Sequence, residues 1–218
     1  MNLSDYSHVI FDLDGVLLDT EKLYTEATQR VVGQYGKTFE WSLKSSMMGR
    51  NELEAAELLV STLELPITAQ EYLRAQLPIA ESLFVSACEL PGAEAFVDVL
   101  KQRGHVLAVG TSSTRRLYDL KTSHLPWFSA FAAVVSGDHP EVRALKPAPD
   151  IFLAAARAIT GDPARCLVIE DSPAGVLAAR AAGMSVVAIP DPALPSERFA
   201  DAHLIVRSYA ELRAQLKC

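Results

Sequence analysis

VIFDLDGVLLDTE, residues Val9 to Glu21, decides how the rest of the chain is read. Three apolar residues, Val9–Phe11, lead straight into Asp12 and Asp14, and apolar residues resume at Val16. An unpaired carboxylate in apolar surroundings forfeits several kcal/mol of hydration. An apolar run that stops at two acids is therefore read as a buried strand whose end opens onto a site.

The next part of the chain has a different character. No strand pattern appears between about residue 20 and residue 88. Thr20 to Tyr35 reads as a helix stopped by Gly36, and NELEAAELLVSTLEL places Asn51 and Glu54 at capping-box spacing. TAQEYLRAQLPIAESLF repeats that spacing with Thr68 and Glu71. PGAEAFVDVLKQRG, from Pro91 to Gly104, then reads as a helix with Pro at its start and Gly at its end.

From His105 onward, short apolar runs alternate with helical segments. The runs are His105–Gly110, Phe131–Asp138, Cys166–Asp171, Met184–Pro190 and His203–Val206. Continuous apolar strands separated by helices imply an α/β fold, with a parallel sheet covered by helices on both faces. Val9–Phe11 is its first strand, and the early helical block is an insertion. The expected division is a core domain of residues 1–18 and 89–218 and a helical domain of residues 19–88.

Composition narrows the function. The chain has 218 residues, half of them hydrophobic, and a net charge of −7. Its longest basic run is Arg115–Arg116, which argues against nucleic acid or an acidic membrane surface as the main partner. No apolar run approaches membrane-spanning length, and MNLSDYSHVIF lacks the basic start and apolar stretch of a signal peptide. A cytoplasmic monomer is the expectation. Cys88, Cys166 and Cys218 form neither a disulfide framework nor a CxxC metal site, and Cys166 is read as a small buried residue. The histidines at 8, 105, 124, 139 and 203 make no metal pattern.

Three apolar runs end in unusual chemistry: Asp12-Leu13-Asp14-Gly15, Thr111-Ser112-Ser113 and Glu170-Asp171-Ser172. Ligands of open parallel sheets bind beyond the carboxyl ends of the strands, so neighbouring strands would bring these groups together. Thr111 reads equally well as a turn or capping residue, and Ser172-Pro173 is a good helix start. An EF-hand is excluded, because Gly15 comes two residues too early.

Asp12, Asp14, Glu170 and Asp171 would put up to four carboxylates in one pocket. Such a cluster raises its own pKa values unless a cation compensates, and an all-oxygen donor set suits magnesium. Lys146, in LKPAPD, is a partner for an anionic substrate. Metal, lysine and hydroxyls together suit phosphoryl chemistry. GxxxxGK, a strand-linked GxGxxG and GxSxG are all missing from the sequence.

FDLDGVLLDT, GTSS, LKPAPD and VIEDSPAG, in that order, resemble the motifs of the haloacid dehalogenase superfamily of aspartate-nucleophile phosphatases. The resemblance spans residue 8 to about residue 190 and implies a Rossmann-like core with an α-helical cap. It implies Asp12 as nucleophile and Asp14 as general acid/base. Magnesium would be held by Asp12, Asp171 and the backbone carbonyl of Asp14, with Glu170 assisting. Thr111 and Lys146 would hold the phosphoryl group, with the backbone N–H groups of Leu13 and Ser112 nearby. The acid at Asp14 distinguishes the phosphatases from the dehalogenases, which lack it.

DTEKLYTEA, MMGRNELEAAELL, LKTSHLPWFSAF and SGDHPEV followed by LKPAPDIFLA are similar to the pseudouridine-5′-phosphatase-like subgroup. Gly49-Arg50 is the candidate substrate contact in the cap, set against a plain helix end; Trp41 and Met47–Met48 are read as cap core. The expected activity is magnesium-dependent hydrolysis of a small phosphomonoester, a nucleoside or sugar phosphate such as pseudouridine 5′-phosphate. A β-phosphoglucomutase-type phosphotransferase shares all four motifs. A non-catalytic phosphate-binding module is the alternative from another class.

Overall fold

The computed structural model describes residues 1–48, 50 and 52–216. The chain forms two compact units, Met1–Asp19 with Cys88–Cys218, and Thr20–Ala87.

The first unit is built on a six-stranded sheet, β1 (His8–Phe11), β2 (Val106–Gly110), β3 (Ala133–Val135), β4 (Cys166–Glu170), β5 (Ser185–Ala188) and β6 (Leu204–Ile205). The order is β3-β2-β1-β4-β5-β6, and every pairing is parallel. This is the Rossmann-like α/β architecture expected from the alternating apolar runs. Val9, Ile10 and Phe11 are fully buried, as are Leu167, Val168 and Ile169 of β4. Helices on both faces exclude water from these strands, which is why they are uniformly apolar instead of alternating.

The helices of this unit are α5 (Ala93–Gln102), α6 (Arg115–Thr122), α7 (Asp150–Ala158), α8 (Pro173–Ala181) and α9 (Tyr209–Gln215). Those of the other unit are α1 (Glu21–Gly33), α2 (Trp41–Met47), α3 (Glu52–Thr62) and α4 (Ala69–Phe84). Ile151, Phe152, Ala154 and Ala155 of α7 pack with Val176 and Ala179 of α8 in the larger core. Ser172 caps α8 by accepting from the Gly175 N–H at 3.0 Å, so its helix-start reading holds.

The strands are shorter than the apolar runs suggest. Phe131–Asp138 contributes only Ala133–Val135, because the Phe131 N–H closes the preceding turn onto Phe128 and Ser136 to Asp138 form the next one, while the Ala132 N–H already donates to the Leu107 carbonyl of β2.

In the helical unit, Val31, Val32, Leu43, Leu59 and Tyr72 form a separate core. Thr68 and Glu71 make the expected capping box: the Thr68 N–H donates to Glu71 Oε2 at 2.8 Å, and the Glu71 N–H to Thr68 Oγ1 at 3.2 Å. The Asn51 capping box lies outside the described residues. Helix α2 has no counterpart in the sequence reading, and it corrects one assignment. Trp41 is 45% exposed, with the Lys44 ammonium 5.5 Å from its ring centroid. A seven-residue helix presents one narrow face inward, and Leu43 occupies it. Met47 does pack against the core, whereas Met48 is half-buried at the helix end.

Candidate active site

The strand order reverses at β1, which has β2 on one side and β4 on the other. Phe11 is level with Val109 of β2 and Ile169 of β4, so the next residues of all three strands emerge at one edge. The Asp12 N–H continues the ladder to the Ile169 carbonyl at 3.0 Å, and the Thr111 N–H does the same to Val135. Three segments spread over roughly a hundred and sixty residues of chain thus converge at the switch point of the sheet, where such folds bind ligands.

The loop after β1 is fixed by its own backbone. Gly15 N–H donates to the Leu18 carbonyl, and Leu17 and Leu18 N–H groups both donate to Leu13. Gly15 has φ +77°, and a Cβ there would fall 2.0 Å from Asp171 Oδ2. Only glycine permits both the turn and the approach of that carboxylate. Leu13, Val16, Leu17 and Leu18 are fully buried, anchoring the loop that carries Asp12 and Asp14.

Lys146, joined to Pro147 by a cis peptide bond, reaches into this edge. Its ammonium hydrogen-bonds Asp12 Oδ1 and, at 2.6 Å, Glu170 Oε1, with Nζ 4.7 Å from the Phe152 ring centroid. Glu170 is wholly buried, and its other oxygen accepts from the Asp171 N–H, the Ser172 N–H and the Ser172 hydroxyl at 2.8–2.9 Å. A Cβ on Gly175 would collide with this carboxylate at 1.8 Å, so the first turn of α8 closes directly over it. Glu170 therefore organises the β4–α8 turn as well as contributing charge.

Asp12, Glu170 and Asp171 each offer a carboxylate oxygen, all within 4.8 Å of one another. Burial pushes the Asp12 carboxyl up to about 7; the Glu170 and Asp14 carboxylates push the same way, against Lys146. Burial alone would lower the Lys146 pKa, but Asp12 and Glu170 outweigh it and hold the ammonium more firmly than usual. The cluster has more negative than positive charge, and its all-oxygen donor set fits a hard divalent cation.

Asp14 is the expected general acid/base, with only its backbone carbonyl assigned to the metal. Its carboxylate stands outside this group and instead accepts from the Lys121 ammonium, at 2.7 Å to Oδ1 and 2.9 Å to Oδ2, and from the Ser113 hydroxyl at 2.9 Å. The electrostatic pull of a buried ammonium explains the separation. Lys121 has no exposed surface, and it is a site residue the sequence reading missed. A signal was present: Tyr118, Lys121 and Thr122 are the buried residues of α6, at the i, i+3, i+4 spacing of an inward face.

Thr111 is fully buried and its Oγ1 accepts from the Ser113 N–H at 3.0 Å, so it also shapes the turn after β2. Ser112 is exposed beside it, while Leu13 is buried. Arg50 belongs to the helical unit, where its Nε–H donates to the Ser46 carbonyl at 2.9 Å. It lines a cavity of ≈ 360 Å³ with Tyr24, Lys44, Tyr72 and Gln76. Gly49 lies outside the described residues.

The comparisons place this parallel sheet, with acids and a buried lysine at its switch point, among the hydrolases. The family model for haloacid dehalogenase-like hydrolases matches residues 6–183. The chain is 42% identical to (DL)-glycerol-3-phosphatase 2 of Arabidopsis thaliana, over 96% of this chain and 90% of that protein. It is 41% identical to "Probable pseudouridine-5'-phosphatase" of Drosophila melanogaster, over 98% and 94%. Among solved structures, CbbY from Rhodobacter sphaeroides in complex with phosphate superposes with a TM-score of 0.75 at 25% identity, covering 98% of this chain and 100% of that one. The chain belongs to the haloacid dehalogenase-like hydrolase family. The enzyme class it shares with these relatives is that of the phosphomonoester hydrolases. Among the described residues, no helix is long and apolar enough to cross a membrane.

Proposed function

We propose that this chain is a magnesium-dependent phosphatase acting on a small phosphomonoester through an aspartyl-phosphate on Asp12. The observation that carries the reading is the buried Asp12 carboxylate at the tip of the central strand, within hydrogen-bond reach of Lys146 and grouped with Asp171. Asp12 attacks phosphorus, the ester P–O bond breaks, and Asp14 gives its proton to the leaving alcohol. Asp14 then takes a proton from the water that attacks phosphorus, which releases inorganic phosphate and restores Asp12. Lys146, the Thr111 hydroxyl and the Leu13 and Ser112 N–H groups are assigned to the phosphoryl oxygens.

Magnesium, held by Asp12, Asp171 and the Asp14 carbonyl with Glu170 beside them, would supply further charge neutralisation at those oxygens. Selection among esters is assigned to the helical unit, read as a cap, and to its cavity with Arg50. Glycerol phosphate and pseudouridine 5′-phosphate head the substrate candidates because the chain is similar to phosphatases named for them.

The test is phosphate release across glycerol 3-phosphate, pseudouridine 5′-phosphate and hexose phosphates, with magnesium and then with chelator. The expected result is release from at least one ester that stops on chelation and returns with Mg²⁺. Undiminished release without divalent ion would overturn the metal reading. Isomerisation that requires a sugar bisphosphate, without net phosphate release, would replace hydrolysis by phosphotransfer.

A further inference from the structure

The Lys121 side chain is the less expected of the two buried lysines at the sheet edge. Lys146 bridges Asp12 and Glu170, whereas Lys121 faces Asp14 and the Ser113 hydroxyl, 2.7–3.1 Å away. The Ser113 hydroxyl in turn donates to Asp14 Oδ2 at 2.9 Å. Both oxygens of Asp14 are thereby held by groups from the segment that follows β2, although Asp14 itself follows β1. Burying an ammonium completely is expensive unless it is paired, so this arrangement is a built feature of the site.

A carboxylate on a loop can swing about its side-chain torsions, and an acid that delivers a proton to one oxygen cannot afford that freedom. We propose that Lys121, assisted by Ser113, is a positioning residue that aims Asp14 at the leaving-group oxygen. The inference rests on the reading of Asp14 as the proton carrier. Lys121 neither gives nor takes the transferred proton; it fixes the carboxyl group that does. A second effect of the geometry is separation of labour. Lys121 holds the Asp14 carboxylate apart from the Asp12–Glu170–Asp171 carboxylates, so the proton-carrying group stays out of that cluster.

Leaving-group dependence distinguishes this role from a structural one. An alkyl phosphate such as glycerol 3-phosphate expels a poor leaving group that needs a proton; 4-nitrophenyl phosphate expels one that does not. kcat/KM reports the half-reaction that ends with departure of the alcohol. Lys121→Met is expected to lose about 10²-fold in kcat/KM on the alkyl ester, within the range of general-acid contributions, and little on the aryl ester. Ser113→Ala should lose roughly fivefold on the alkyl ester alone, the size of one hydrogen bond.

The double variant Asp14→Asn with Lys121→Met should match Asp14→Asn alone, because a residue acting only through Asp14 has nothing left to position. Circular dichroism and thermal melting establish that each variant is folded. Equal losses on both esters in folded Lys121→Met, or a further loss in the double variant, would overturn the proposal. If Lys121→Met does not fold, Ser113→Ala decides: no preferential loss on the alkyl ester overturns it. If Asp14→Asn loses both esters equally, the proton-carrier reading fails and the inference falls with it. Selective loss in Asp14→Asn without selective loss in Lys121→Met overturns the inference alone.

Discussion

The two compact units of this chain handle buried polarity in different ways. In the sheet unit the buried polar groups include charged ones: Asp12, Lys121, Lys146 and Glu170 lie at or near strand ends, each paired with a group distant in sequence, alongside the neutral Thr111, Thr122 and Ser136. In the helical unit they are neutral. Thr28 and Tyr72 share a hydrogen bond at 2.9 Å, Gln76 donates to Thr28 at 2.8 Å, and the ion pair Lys44–Glu21 is partly exposed. The difference is one of electrostatic cost. Charged groups taken out of water must be compensated in place, so the backbone that presents them is fixed by a sheet; neutral groups need only a partner, and a helix bundle can supply it.

The contrast breaks most visibly at Asp12. Asp12→Asn is nearly isosteric, keeps the hydrogen-bonding surface and removes the nucleophile. Phosphate release should fall to background while the circular dichroism spectrum and Tm stay close to those of the parent. Normal turnover in this variant would mean that Asp12 is not the attacking group.

Lys146→Met comes next and should be felt in both fold and function. It leaves the Asp12 and Glu170 carboxylates facing each other without their shared cation. Breaking a buried pair in this way typically costs about 3–5 kcal/mol. Denaturant titration should register that loss. kcat/KM should fall by about 10²–10³, as when one preorganised donor to the phosphoryl oxygens is lost. An unchanged unfolding midpoint would show that the sheet edge tolerates unpaired charge, and the contrast between the units would lose its basis.

How much of this was legible in the sequence follows the same division. Val9–Phe11 announced a buried strand because a parallel strand covered on both faces is apolar at every position, and Asp12 marked its end. The strand-end groups could be brought together on paper because parallel sheets converge their carboxyl ends. Lys121 escaped because a lysine in a helix usually faces water, and its partner Asp14 lies 107 positions away in the chain. Trp41 was misplaced because hydrophobicity says nothing of which face a short helix turns inward; Leu43 took that face. Glu170 was seen as a charge, but its backbone partners at Asp171 and Ser172 depend on a turn that only coordinates reveal.

The gentlest probe lies in the helical unit. Tyr72→Phe removes one neutral hydrogen bond and leaves Thr28 its contact with Gln76. The expected cost is about 1 kcal/mol of stability. Burial pushes the Tyr72 phenol up to about 12 from 10.0, the Thr28 hydrogen bond pulls it down, and Glu52 adds to the rise. An acid whose pKa is raised on folding contributes stability that is complete below its unfolded value and disappears as pH climbs through the folded one. Parent and variant should therefore differ in stability by a constant amount up to about pH 10, and the gap should close between there and pH 12. Parallel urea titrations at pH 7, 9 and 11 measure it. A gap that already narrows between pH 7 and pH 9 would mean that charged groups, and not this neutral network, govern the helical unit.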